Sequence, residues 1–184
     1  MEKKLSLGGT PWIIAGIVLM LAPIELLLPV GVWADAAGYL LMATGLLLLH
    51  KQNGGFTGAN VAAIACFALC ACQLVLPKMG HIGHLLSVVP MVVYCFMLYF
   101  MCTSYAKMAH GVGDEGCAHH FISHMWVDIV ATALEIVAHL FGLEGIPYYI
   151  VSVVCIVCEI MLMTHMWHFY RHYDGHLASN GAYA

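Results

Sequence analysis

The sequence predicts an all-α polytopic membrane protein, with six transmembrane helices arranged as three helical hairpins. Three observations carry that expectation. The chain is 62% apolar and 9% charged over 184 residues, whereas about a quarter of an ordinary soluble domain is charged. Its apolar residues gather into six runs of about 17 to 25 residues, the length that crosses a ~30 Å hydrocarbon layer as a helix. Polar, glycine-bearing or proline-bearing segments separate the runs.

The elements follow in order. Thr10-Pro11 is a cap with proline at the first helical position, which opens a helix well. The first helix is expected over about Trp12 to Leu28, stopping at Pro29. The same region could be read as a signal peptide, because MEKK leads an apolar run toward Ala34-Asp35-Ala36. The length of the run and its Pro23 and Glu25 favour an uncleaved spanning helix instead. The second helix covers about Val32 to His50, and KQNGGFTG follows as a turn. The third covers about Asn60 to Leu76 and ends at Pro77-Lys78, with MGHIGH as the next turn. The fourth runs from about Leu85 to Lys107 with a kink expected at Pro90. MAHGVGDEGCA reads as the longest loop. The fifth helix covers about His120 to Phe141, GLEGIP is a tight turn, and the sixth runs from about Tyr148 to His172. Residues 1–172 thus form one transmembrane domain, and 173–184 form a polar, frayed tail.

Orientation follows from the basic residues. Six spans place Lys3, Lys4, Lys51, Lys107 and Arg171 on one side and Lys78 on the other, so both termini are expected in the cytoplasm at the plasma (inner) membrane. Trp12, Trp33, Trp126, Trp167 and Tyr148-Tyr149 fall near helix ends, where amphipathic rings settle. The six basic residues are scattered, which gives nucleic-acid binding no support. No P-loop, nucleophile elbow, HExxH or dinucleotide fingerprint occurs, so no catalytic residue is assigned. Of eight cysteines, seven lie in apolar runs and read as reduced packing residues. Gly38, Gly45 and Ala43 read as sites of close helix packing.

The chemistry concentrates on one stretch, His124 to His139. At about 100° per residue, His124, Asp128, Glu135 and His139 fall within ~60° on one helical face that is ~22 Å long. Ionisable groups inside a spanning helix are expensive and therefore mark function by default. From the outer helix ends, Glu25 is expected ~6 Å deep, Glu135 ~9 Å, Glu159 ~16 Å and Asp128 ~20 Å. No Lys or Arg lies at those depths to neutralise them. Glu25, Asp128, Glu135 and Glu159 are therefore candidates for a transport path for a proton or a metal cation.

The candidate metal ligands are His124, Asp128, Glu135, His139, Glu159, His165 and Cys155, because carboxylate with imidazole suits divalent ions and thiolate suits softer ones. His119 and His120 stand with His124 at the inner face, and His165, His168, His172 and His176 share a stripe if the sixth helix continues. Haem b is the runner-up cofactor, with His124/His165 or His139/His84 as axial pairs. Met97-x-x-x-Met101, and Met163 and Met166 near Cys155, could serve a soft metal but at helical spacing read as packing. The functional expectation is a small cation transporter or channel with carboxylates inside and histidines at its mouths. A histidine-ligated redox protein and a non-catalytic subunit of a larger complex are the alternatives. Lipid is the expected surrounding. A homo-oligomer or a partner subunit is expected too, because so small a chain has little room for a gate.

Overall fold

The computed structural model describes residues 3–21, 31–75, 80–142, 146–175 and 177–178. It is helical apart from one two-residue ribbon. After β1 (Lys3–Lys4) come α1 (Thr10–Leu21), α2 (Gly31–Leu49), α3 (Gly55–Val75), α4 (Gly80–Gly111), α5 (Glu115–Leu140) and α6 (Ile146–Tyr173), then β2 (Leu177–Ala178). Five helices, α2 to α6, are long and apolar enough to cross a membrane. The described part of α1 has 12 residues, ~18 Å of helix. Its expected continuation to Leu28 lies outside the described residues.

Each helix packs on its neighbours in sequence, and α6 returns to α1, so the chain circles the bundle once. Glycines set the closest approach, between α1 and α2. A Cβ on Gly16 would stand 2.5 Å from the Gly38 carbonyl oxygen, and one on Gly45 would stand 2.5 Å from that of Gly9. Only a residue without a side chain lets the backbones meet this closely, which matters where lipid supplies no hydrophobic drive between helices. The packing read into Gly38 and Gly45 from sequence is thus observed.

The core at one end is aromatic. Tyr105 of α4 stacks on Phe121 of α5 with ring centroids 5.1 Å apart, and meets the edges of Phe56 of α3 and Phe169 of α6. Its hydroxyl shares a 2.7 Å hydrogen bond with that of Thr10 on α1, so a buried phenol has its partner. One residue of α4 thereby joins α1, α3, α5 and α6. Met97, Met101 and Met166 lie fully inside the core, which is the packing role.

The loops are shorter than the sequence implied. Of the expected MGHIGH turn, Gly80 to His84 belong to α4, where first-turn N–H groups lack intrahelical partners whatever the residue; Met79 lies outside the described residues. The expected long loop shrinks to residues 112–114. Gly113, with φ +81°, reverses the chain, and Asp114 caps α5 by accepting from the Cys117 N–H at 2.8 Å. α4 continues through Pro90. The tail is not frayed where it is described. Lys3 pairs with Ala178 and Lys4 with Leu177, the Gly175 N–H donates to the Leu5 carbonyl at 2.8 Å, and the Leu7 N–H donates to Asp174 Oδ1 at 2.8 Å. These backbone partners, with Leu5 and Leu7 buried beneath, fix both termini at one end of the bundle. All eight cysteines are free thiols.

Candidate functional site

The site grows from the local chemistry of α5. Its cap, Asp114, also accepts a hydrogen bond from the Tyr173 hydroxyl at 2.8 Å, which ties the start of α5 to the end of α6. The Cys117 N–H, then the Tyr173 hydroxyl, hold the Asp114 carboxyl below its ordinary pKa against the opposing effect of burial. His110 and Glu115 pair at 2.9 Å beside it, both exposed, so that pair contributes little.

From there the polar residues of α5 recur every third or fourth position: His120, His124, Asp128, Thr132, Glu135 and His139. This spacing puts them on one stripe. α6 runs antiparallel alongside and presents Ser152, Cys155, Glu159 and His165 to that stripe. The contacts occur in register. At the end holding the termini, His165 faces both histidines of α5, with ring centroids 4.6 Å from His124 and 5.1 Å from His120. Near the far end, Glu135 accepts from the Ser152 hydroxyl at 3.4 Å and from the Cys155 thiol at 3.7 Å. Between these, Glu159 lies within the electrostatic influence of Asp128, Glu135 and Asp35. The stripe from His120 to His139 covers ~28 Å along α5, nearly the thickness of a hydrocarbon layer.

The middle of this seam is its costly part. Asp128 is 2% exposed, and its Oδ2 has no hydrogen-bond partner among the described residues. Glu159 accepts a hydrogen bond from the Tyr94 hydroxyl of α4 at 2.9 Å, and Tyr39 of α2 packs its ring edge-on to Tyr94. The only Lys or Arg in α5 or α6 is Arg171, in the last turn of α6. Burying a carboxylate without a basic partner costs several kcal/mol. Such a group is retained where protonation, a bound cation or water offsets that cost.

Of the residues expected from sequence, the structure brings His124 to His165 and Glu135 to Cys155, and sets Asp128 near Glu159. His139 is half-buried at the far end of the seam, and Glu25 lies outside the described residues. Among the described residues, the group of three or more whose ligand atoms converge is His120, His124 and His165, all within 4.8 Å of one another. Asp128, Glu135, His139, Glu159 and Cys155 are not in that group. His168 and His172 stack on each other at 5.9 Å, while His176 lies outside the described residues.

His120 was placed with His124 at the inner face from sequence, one turn before it on the same stripe. Two participants were not read from sequence. Tyr94 and Asp35 had no such signal, because α4 and α2 reach Glu159 only through tertiary packing. Comparison with protein-family models, curated protein sequences and solved structures gives no match, so function is argued from the geometry.

Proposed function

We propose that this membrane protein transports or conducts a cation, a proton or a metal ion, along the seam between α5 and α6. The observation that carries the reading is Asp128, buried at 2% exposure within electrostatic reach of Glu159. Carboxylates staggered along a helix pair offer successive resting places for a positive charge, each a short step from the next. From His124 to Asp128 is ~6 Å along the axis, and from Asp128 to Glu135 is ~10 Å. Tyr94 orients Glu159, and histidines stand at both ends. Glu25 is a further candidate for the path.

In this reading the end holding both termini faces the cytoplasm across the plasma (inner) membrane, because Lys3, Lys4, Lys51, Lys107 and Arg171 belong to that end. A homo-oligomer or a partner subunit supplies the gating surface that one small bundle lacks. The close ring packing of His124 with His165 favours a small ion over a haem, whose macrocycle would have to fit between axial imidazoles.

The test is cation flux into liposomes holding the purified chain, with proton and divalent-metal indicators read in parallel. Asp128→Asn, Glu135→Gln and Glu159→Gln are expected to reduce flux at least tenfold while leaving yield and monodispersity unchanged. Wild-type flux in all three variants would remove the proposal.

A further inference from the structure

We infer that His120, His124 and His165 form a binding site for a borderline divalent transition-metal ion, with zinc as the representative. The inference rests on these three side chains alone and holds whether or not the seam conducts. An i, i+4 histidine pair on one helix turns both imidazoles to the same side. The pair is completed by His165 from α6, whose ring lies 10° from parallel to that of His120 and 38° from that of His124. One ligand nitrogen from each residue lies within 4.8 Å of the others. Imidazoles bound at ~2.0–2.1 Å to a shared tetrahedral ion stand about 3.4 Å apart. The remaining contraction is within reach of side-chain rotation, because His120 is exposed and the other two are half-buried.

The donor set selects the ion. Three neutral nitrogens suit zinc, copper, nickel or cobalt, whereas magnesium and calcium demand oxygen. Three protein ligands also leave a fourth position open, as in exchangeable or catalytic zinc sites and unlike closed structural ones. The ion would clamp α5 to α6 about three to four turns from the Glu135 contacts, at the end of the bundle that holds the termini.

Zinc titration of the untagged, chelator-stripped full chain in detergent tests the site, followed by calorimetry or by competition with a chromophoric chelator. One zinc per chain is expected. His165→Gln and His124→Gln should each weaken binding by more than the ~10–100-fold that loss of a residue merely supporting a ligand costs. His168→Gln/His172→Gln, which removes a histidine pair of the same spacing beside the site, should leave binding unchanged. His120→Gln alters an exposed side chain and guards against a folding artefact. X-ray absorption of the zinc-loaded wild type needs no variant at all, and should report three imidazole nitrogens around the metal. Absence of wild-type binding, equal binding in His120→Gln/His124→Gln/His165→Gln, or an all-oxygen shell would overturn the site. The measurement needs neither a bilayer nor a gradient, so failure of the acidic variants to affect flux has no bearing on it.

Discussion

At the scale of single residues, two devices decide how the helices begin and how closely they meet. Asp114 serves two helices with one carboxylate, capping α5 through Cys117 and holding the end of α6 through Tyr173. Asp114→Ala should lower stability by about 1 kcal/mol, typical for a lost cap, measured by thermal unfolding in detergent. The effect carries a pH signature. The folded-state pKa is depressed, so the stabilisation is complete above the unfolded value near ~3.9 and fades as pH falls through the lower folded value. The difference in unfolding temperature between wild type and Asp114→Asn should therefore shrink on acidification below about pH 4. Gly16 acts through absence. Any side chain there meets the Gly38 carbonyl and the backbone N–H of Met42, and backbone cannot step aside as a rotamer can. Gly16→Ala should destabilise by about 1–3 kcal/mol, whereas Gly54→Ala, with open space around it, should fall within ~0.5 kcal/mol of wild type.

At the scale of elements, α5 and α6 differ from the other helices because their shared interface carries polar contacts at several levels beside the apolar Phe121–Phe169 contact. The α1–α2 contact runs on glycine and the α3–α4 contact on Ser104, Phe100 and aromatic edges. The α5–α6 contact runs on histidine, carboxylate, hydroxyl and thiol. Such an interface sacrifices stability for chemistry. Glu159→Gln tests this directly. Glutamine still accepts from the Tyr94 hydroxyl and removes a negative charge that Asp128, Glu135 and Asp35 oppose electrostatically. The variant should unfold at the same temperature as wild type or higher while its flux falls. A variant that is markedly less stable would mean that Glu159 is a structural anchor. Tyr94→Phe should keep the fold, since its ring still packs on Tyr39, yet lower flux by releasing Glu159.

At the scale of the whole molecule, the termini close the ring. α1 and α6 are adjacent only because the chain has travelled once around the bundle, and the β1–β2 ribbon fastens that seam. Removing residues 174–184 takes away the partners of the Leu5 carbonyl and the Leu7 N–H. The loss should be about 1–3 kcal/mol, from two hydrogen bonds, read as an earlier unfolding midpoint. Asp174→Ala, which removes only the Leu7 partner, should cost less.

The sequence by itself determined the helical class, the places of the six helices and the polar stripe of α5. These depend on hydrophobic run length and on the 3.6-residue period, both properties of consecutive residues. It misjudged Gly80 to His84, Met108 to Gly111 and Glu115 to Ala118, because glycine and histidine read as loop formers while a helix end tolerates both. Tertiary structure alone decided which stripe of α6 faces α5, that Tyr94 holds Glu159, that Asp35 bears on it, and that three histidines from two helices converge. Those pairings depend on the register and rotation of packed helices. Register is set by where glycines let backbones approach and where aromatic side chains fill the core, and no single segment records it.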